Sequence, residues 1–250
     1  QRPPDSDMTL IYGHRGARAE APENTLPSFR KALEAGVTRV DLDLHLSADQ
    51  QLVVIHDPTL KRTTGLRGKV AQHTAAELSR IDARFGLPGW KTPCAIPTLA
   101  QLLQQCPEIE HYQLEVKSGS ERQSRIVLDA IATLTERYNL HNKAVVTSSS
   151  RTLLRYARRS NFMLPTGLVE EYGLLDPVKS ARRYGCDYLI LNWKLCSQQR
   201  LRAAQAAGLH VSVWTVNDAA LMQRLAEMGV DSLITDLPSL AVKVINQGRA

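Results

Sequence analysis

The sequence predicts an α/β protein, a single (β/α)8 TIM barrel with a small hairpin-containing insertion after the second strand. The chain has 250 residues, a length that this barrel commonly reaches as one domain. A helix–glycine–strand unit recurs along the chain, and the candidate strands number eight. We expect one catalytic domain over residues 8–250, with the insertion at about residues 44–97.

The recurring unit consists of the end of an amphipathic helix, a glycine and a short apolar strand. The glycine suits the left-handed conformation in which many helices end. Such units in series indicate parallel strands that are joined by right-handed crossovers. The clearest units are centred on Gly36, Gly185, Gly208 and Gly229.

The candidate strands are short apolar segments that lie beside helical sequence. They are predicted at residues 10–13, 40–43, 112–116, 144–147, 166–169, 188–191, 211–214 and 232–235. Eight parallel strands, each accompanied by a helix, are the number that closes a TIM barrel.

A ninth apolar run at residues 52–56 predicts a hairpin. It follows the second strand too closely for a parallel crossover, so it is expected to return antiparallel, turning near Asp49 and Gln50. A turn centred there pairs Asp43 with His56. The hairpin would thus bring a histidine back beside a carboxylate at the end of the barrel.

Composition excludes several classes of protein. An apolar fraction of 43% excludes intrinsic disorder, and no apolar run approaches the roughly 18 residues that a membrane span needs. The net charge of +6 comes from dispersed basic residues, and the densest cluster has the spacing of one exposed helix face: Arg155, Arg158 and Arg159. We therefore expect no nucleic-acid partner, although the charge favours an anionic small substrate.

The cysteines and the N-terminus favour a cytoplasmic protein. Cys94, Cys106, Cys186 and Cys196 form no CxxC pair and are expected to be reduced thiols. No secretory signal is recognisable. Residues 1–7 are predicted to be a flexible tail or residues left over from expression cloning, with Met8 as the candidate native start.

Three carboxylates at the predicted strand ends are candidate metal ligands. Asp41 and Asp43 are two residues apart on one strand and therefore share a face. Glu115 ends the next strand of the barrel. Three oxygen ligands suit Mg²⁺ or Ca²⁺ better than zinc. Ion pairs with cationic side chains such as Lys117 are an equally open alternative.

Two histidines and two cations complete the candidate site. His14 and Arg15 follow the first strand, and the hairpin brings His56 to the same end of the barrel. Arginine binds phosphate through paired hydrogen bonds, and histidine exchanges protons near neutral pH. With Lys117 and a cation, this set can cleave a phosphodiester by acid–base catalysis.

These residues lie in motifs that, as an ordered set, resemble the glycerophosphodiester phosphodiesterases, particularly the bacterial cytoplasmic kind. The resemblance extends from about Thr9 to Leu237. The motifs are His14-Arg15-Gly16, Ala21-Pro22-Glu23-Asn24-Thr25, Asp41-Leu42-Asp43, His56-Asp57, Leu114-Glu115-Val116-Lys117 and Val213-Trp214-Thr215-Val216-Asn217.

The resemblance implies metal-dependent hydrolysis of glycerophosphodiesters to glycerol 3-phosphate and an alcohol, within lipid and glycerol metabolism. It implies that His14 and His56 are the general acid–base pair and that Asp41, Asp43 and Glu115 bind the cation, Mg²⁺ or Ca²⁺. The substrate contacts would be Arg15, Lys117, Trp214 and Glu23. Asn24 and Thr25 are expected to be helix caps instead.

Three departures from the family pattern bear on the affinity for the metal ion and on the preference for the leaving group. Asp41 stands where the family usually has glutamate, Asp49-Gln50 replaces a usual Asp-Gly turn, and Ser150 replaces a phenylalanine. Two alternatives stay open: a phosphodiesterase that resembles lysophospholipase D, and a non-catalytic barrel that binds phosphate or metal. The sequence predicts neither the head-group alcohol nor the oligomeric state.

Overall fold

Eight parallel strands close into a barrel in the computed structural model, which describes residues 8–247. The tail that the sequence predicts at residues 1–7 lies outside the described residues. The strands are β1 Leu10–His14, β2 Arg39–Leu46, β3 Leu52–Val54, β4 His111–Val116, β5 Ala144–Ser148, β6 Thr166–Glu170, β7 Tyr188–Asn192, β8 His210–Trp214 and β9 Ser232–Thr235. All of them except β3 belong to the barrel.

Helices lie on the outside between successive barrel strands. They are α1 Leu26–Glu34, α2 Lys61–Thr64, α3 Ala75–Leu78, α4 Leu99–Gln105, α5 Glu121–Tyr138, α6 Arg151–Arg159, α7 Pro177–Arg183, α8 Gln198–Ala206, α9 Ala219–Met228 and α10 Pro238–Gln247. Short 3₁₀ helices occupy Val70–Gln72 and Trp193–Leu195. No helix of the described chain is both long and apolar enough to cross a bilayer.

The barrel closes because β1 pairs in parallel with both β2 and β9. The remaining strands pair in parallel in the order β2, β4, β5, β6, β7, β8 and β9. This closure confirms the predicted fold class. It also places the carboxyl ends of all eight strands, called the rim below, around one opening.

The helices begin and end at residues of the expected types. The four glycines of the recurring unit all have positive φ, for example +86° at Gly36 and +87° at Gly229. Several helices begin at a polar cap; before α9, for example, Asp218 Oδ1 accepts a hydrogen bond from Leu221 N (2.9 Å). The exposed arginines of α6 lie on its solvent face, as the spacing predicted.

The main apolar core lies between the barrel and its helices, and the barrel interior is largely polar near the amino ends of the strands. There, Gln113 Nε2 donates to Ser212 Oγ (3.1 Å), and Ser232 Oγ donates to Ser212 Oγ (2.7 Å). His111 contacts the Tyr12 hydroxyl at 2.8 Å. Closer to the rim, a small cluster that includes Val169 and Ile234 fills the interior.

The hairpin forms, but its predicted register is wrong by one residue. β3 runs antiparallel to β2 with Leu44 opposite Val54, so Asp43 lies opposite Ile55 and not His56. The reason is a five-residue turn closed by a hydrogen bond from Ser47 N to Gln51 O (3.0 Å), in which Gln50 has φ +58°. Because His56 follows the end of β3, the slip leaves it at the rim.

The segment between β3 and α4 has an apolar core of its own. Val53 and Ile55 pack there with side chains of the following segment: Leu60, Val70, Leu78, Ala83 and Ile96. Hydrogen bonds from Ala48 N to His73 O (2.8 Å) and from Ala75 N to Asp49 Oδ1 (2.9 Å) join this segment to the hairpin turn. The segment is thereby held beside the rim.

Candidate active site

A cavity of about 390 Å³ opens among the strand ends at the rim. It collects most of the residues that the sequence singled out. Its lining includes His14, Arg15, Asp41, His56, Glu115, Lys117 and Trp214. They come from β1, β2, β4, β8 and the segment after β3, so distant parts of the chain meet here because the barrel closes.

His14, the last residue of β1, is oriented by a carboxylate from the end of β9. Its Nδ1 lies 2.6 Å from Asp236 Oδ1. A carboxylate only accepts, so Nδ1 carries the proton and Nε2 is left with its lone pair. Asn217 Nδ2 donates to Asp236 Oδ2 (2.8 Å) and fixes that carboxylate. Burial opposes the charge on Asp236, but the contacts with His14 outweigh it and lower its pKa.

His56 has the same kind of arrangement on its own neighbour. Its Nδ1 donates to Asp57 Oδ1 (2.7 Å), and its Nε2 accepts from Lys117 Nζ (2.6 Å). His45 Nε2 donates to the His56 carbonyl (2.8 Å), which ties the backbone to β2. Burial is the largest influence on His56 and lowers the pKa of its imidazole.

Arg15 is directed inward by an unusual backbone turn. Arg15 has φ +51° and Gly16 has φ +86°, so two consecutive residues are left-handed. A Cβ at Gly16 would lie 2.6 Å from the carbonyl carbon of Ser28, so the close approach to α1 requires glycine. The buried Arg15 side chain contacts Glu23 Oε2 through Nη1 (2.7 Å) and Asp43 Oδ2 through Nε (3.2 Å).

Asp41, Asp43 and Glu115 lie together but differ in their partners. Asp43 Oδ2 contacts Arg15 and accepts from Asn24 Nδ2 (3.0 Å). Burial is the largest influence and opposes the ionisation of Asp43, but the combined effect of Arg15, His56, Asn24 and Lys117 outweighs burial and lowers the pKa of Asp43. Burial and then repulsion from Asp43 raise the pKa values of both Asp41 and Glu115. These two carboxyls would gain most from an added positive charge.

The carboxylates suit a hard divalent cation in kind, although not yet in arrangement. Over residues 8–247, no three His, Cys, Asp or Glu side chains converge closely enough to form a ready metal cluster. Asp41 and Glu115 line the cavity, and both contacts described for Asp43 are made by Oδ2, which leaves Oδ1 available. Oxygen donors of this kind are the ligands that Mg²⁺ and Ca²⁺ prefer.

Glu23 forms ion pairs with arginine side chains. The structure does not bring it into the cavity lining; its carboxylate is enclosed by Arg15 and Arg62. Burial opposes its charge, but the Arg62 hydrogen bonds and the Arg15 charge outweigh burial and lower the pKa of Glu23 to about 2. Glu23 therefore serves as an anchor for Arg15 and Arg62, and its role as a direct substrate contact stays a prediction.

Arg62 in α2 is a residue that the sequence reasoning missed. Its guanidinium donates to Glu23 Oε1 (2.6 Å) and to Asp57 Oδ2 (2.9 Å). Arg62 thereby links Glu23, which holds Arg15, to Asp57, which orients His56. In the sequence it is marked only by its position, five residues after Asp57 and on a short helix, a spacing that by itself predicts no role.

The helix-cap expectation holds in part. Thr25 occupies the N-cap position of α1. Its hydroxyl, however, donates to Pro22 O (2.5 Å) and makes no capping hydrogen bond to the helix. Asn24 donates to Asp43 and is therefore part of the site, so its interpretation as a cap was wrong. Asn24 reaches Asp43 from a left-handed conformation, with φ +57°.

Of the remaining residues, some line the cavity, and Ser150 caps a helix instead. Trp214 lines the cavity, and its buried Nε1 has no hydrogen-bond partner among the described residues. Ser150, which replaces the family's phenylalanine, caps α6 by accepting from Leu153 N (3.2 Å), whereas Ser149 lines the cavity. Glu171, just after β6, also lines it. The rule that strand ends carry function would have found Glu171.

Comparison with known proteins supports this description. A model of the glycerophosphoryl diester phosphodiesterase family matches residues 14–240. A glycerophosphodiester phosphodiesterase of Caldanaerobacter subterraneus subsp. tengcongensis is 30% identical over 96% of this chain and 99% of its own.

Two solved structures show the same architecture. A glycerophosphoryl diester phosphodiesterase structure from Silicibacter pomeroyi has a TM-score of 0.88 at 25% identity and covers 96% of this chain and 94% of its own. An Oleispira antarctica phosphodiesterase in complex with the product sn-glycerol-3-phosphate has a TM-score of 0.86 at 25% identity. That match covers 97% of this chain and 98% of the other.

Proposed function

The chain belongs to the glycerophosphoryl diester phosphodiesterase family and is a hydrolase of glycerophosphodiesters, and we propose that it cleaves them with His14 and His56 as its proton-transfer pair. The observation that carries this proposal is the matched environment of the two imidazoles. Each ring lines one cavity, and each is hydrogen-bonded at Nδ1 to an aspartate. Each Nε2 is then the atom that exchanges a proton.

The two histidines divide the proton transfers of one displacement at phosphorus. One Nε2 takes the proton from the attacking oxygen, which is a water or the neighbouring glycerol hydroxyl. The other imidazole acts in its doubly protonated form, as an imidazolium, and donates its Nε2 proton to the departing alcohol oxygen as the phosphorus–oxygen bond breaks. Attack by the glycerol hydroxyl would give a cyclic phosphate first, which phosphorus NMR distinguishes from direct hydrolysis.

Arg15 and Lys117 supply positive charge where the phosphate gains negative charge. Both line the cavity, and the Lys117 ammonium already lies against His56 Nε2. Charge that is fixed before the reaction stabilises the transition state without reorganisation. Trp214 is the proposed wall of the substrate pocket.

Members of this family generally depend on a divalent cation. We assign Asp41, Asp43 and Glu115 as the residues that would hold Mg²⁺ or Ca²⁺. Such an ion would neutralise the carboxylates and polarise the phosphate. Asp41 is one bond shorter than the usual glutamate, so we expect weaker cation binding here than in relatives that carry glutamate.

The chain is further proposed to act in the cytoplasm. Its four cysteines are buried free thiols, and burial raises the pKa of each, as for Cys186 to about 11. Thiols of this kind are unreactive and are typical of a reducing compartment.

The direct test is product identification. Purified protein with Mg²⁺ or Ca²⁺ should convert glycerophosphocholine to glycerol 3-phosphate, and EDTA should abolish the reaction. Glycerophosphoethanolamine in the same assay reports head-group preference. Faster turnover of lysophosphatidylcholine would favour the alternative that resembles lysophospholipase D. Absence of turnover with either cation, together with retained phosphate binding, would favour a non-catalytic barrel.

A further inference from the structure

Large apolar side chains are exposed at the same end of the barrel as the cavity. Leu66 and Phe85 lie in the segment after β3, and they are 51% and 62% exposed. Tyr172, Leu174 and Leu175 lie in the loop between β6 and α7, where Leu174 is 90% exposed. Water is a poor environment for side chains of this size, so their grouping at one end of the molecule indicates contact with something else.

These two groups, called the insertion patch (Leu66 and Phe85) and the loop patch (Tyr172, Leu174 and Leu175), lie on connections that follow strand ends at the rim. The segment that carries the insertion patch begins at His56, and the loop patch begins directly after Glu171; both residues line the cavity. Phe85 N donates a hydrogen bond to Thr63 O (3.1 Å), and the Phe85 ring lies against Gly65. Both patches therefore belong to connections that leave the rim next to cavity-lining residues.

The excess of basic over acidic residues lies in the segments that carry the two patches and in the connection after β7, although basic residues occur along the whole chain. Residues 56–97, 171–182 and 193–200 together contain 11 of the 31 Lys and Arg but only 5 of the 25 Asp and Glu. The other residues contain 20 basic and 20 acidic side chains, so these three segments account for the whole excess. Within them, Lys179, Arg182 and Arg200 line a surface depression with Leu174 and Leu175.

We propose that this end of the barrel binds an anionic lipid surface, with the loop patch and the insertion patch dipping into the interface. Apolar side chains and surrounding cations are the two signals whose combination gives peripheral membrane attachment, since either alone binds weakly. This chain has both features, exposed apolar side chains and basic residues, in connections at the rim. No spanning helix is required.

Such attachment has a chemical rationale. A glycerophosphodiester is what remains when both acyl chains of a glycerophospholipid have been removed. The reaction that supplies the substrate is therefore a deacylation at a membrane surface. An enzyme whose cavity opens toward that surface meets its substrate where deacylation releases it.

The test is co-sedimentation of the full chain with vesicles. The protein should pellet with vesicles of phosphatidylcholine and phosphatidylglycerol at low ionic strength, but not with phosphatidylcholine alone. Raising the salt concentration should weaken binding, because the attraction between exposed charges is screened. Binding is read without hydrolysis, so failure of this proposal is distinguishable from failure of the proposed activity.

Variants identify the residues responsible. Replacing both leucines, L174S with L175S, should lower vesicle affinity by about tenfold or more and leave hydrolysis of glycerophosphocholine unchanged. Met163→Ser is the matched control: Met163 is also an exposed apolar residue, but it precedes β6 at the opposite end of the barrel. This control should bind vesicles like the wild type.

Three results would overturn the proposal. The first is equal vesicle binding by the double serine variant and the wild type. The second is a dimer in sedimentation velocity that the double variant converts to a monomer, which would make the loop patch a contact between copies. The third is binding of a DNA duplex as tight as that of anionic vesicles, which would assign the basic residues to nucleic acid.

Discussion

Asp236 shows how much of the site depends on residues that do not touch substrate. It holds the His14 ring with Nε2 free, and Asn217 holds Asp236 in turn. The sequence placed Asp236 at a strand end but suggested no role for it. The missing information was the pairing of β1 with β9, which joins residues 222 positions apart.

Asp236→Asn should lower kcat by about 10² or more, because an amide can donate to Nδ1 and so favour the wrong tautomer of His14. KM should change little, since Asp236 does not line the cavity. Steady-state kinetics with glycerophosphocholine measure both constants. A variant with wild-type kcat would show that His14 does not need this orientation.

Arg62→Met should lower kcat by about 10- to 100-fold, because Asp57 and Glu23 lose the guanidinium that connects them. Arg62→Lys should recover little of this loss, since an ammonium cannot reproduce the planar fork that bonds both carboxylates. Arg84→Met is a matched control, as Arg84 lies in the same segment but pairs with Asp82. Equal losses in the Arg62 and Arg84 variants would point to general damage to the segment.

Among the elements, the turn between β1 and α1 and the β2–β3 hairpin show what sequence patterns can and cannot predict. The helix–glycine–strand units and the eight strands follow from local periodicity, and each predicted strand matches an observed one. The hairpin register depends on one left-handed residue, Gln50, whose conformation no pattern reveals. Asn24 was misread because its partner, Asp43, lies on another element.

Gly16→Ala should destabilise the protein by about 2–4 kcal/mol, because a methyl group there meets the α1 backbone and the residue is left-handed. Gly36→Ala isolates the second effect, since Gly36 has the same φ of +86° but has nothing within 4 Å of its added Cβ. The Gly36→Ala variant should lose only about 1 kcal/mol of its free energy of unfolding. Urea unfolding compares the two, and equal costs would exclude the steric explanation.

Across the whole molecule, the two ends of the barrel have different tasks. The rim carries the charged site, while the opposite end is a hydrogen-bonded polar interior around His111, Tyr12 and Tyr188. Burial, with smaller contributions from Arg39 and His210, lowers the pKa of His111 to about 4. The sequence placed His111 before β4 and gave no reason to single it out.

His111 should make the stability of the protein depend on pH. Its pKa is about 4 in the folded chain and about 6.5 in the unfolded chain, so between these values the unfolded chain binds more protons. This contribution is complete above pH 6.5 and is lost as pH falls toward 4, with a slope of up to about 1.4 kcal/mol per pH unit. His111→Asn should flatten that part of the profile in denaturant unfolding. An unchanged slope would contradict the assignment.

The central claim is that His14 and His56 transfer the protons in phosphodiester cleavage, and the turnover of His14→Asn tests it most directly. With glycerophosphocholine and saturating divalent cation, we expect kcat to fall by about 10²- to 10⁴-fold while the variant unfolds like the wild type. His56→Asn should show a similar loss. Release of glycerol 3-phosphate by His14→Asn at the wild-type rate would contradict the account.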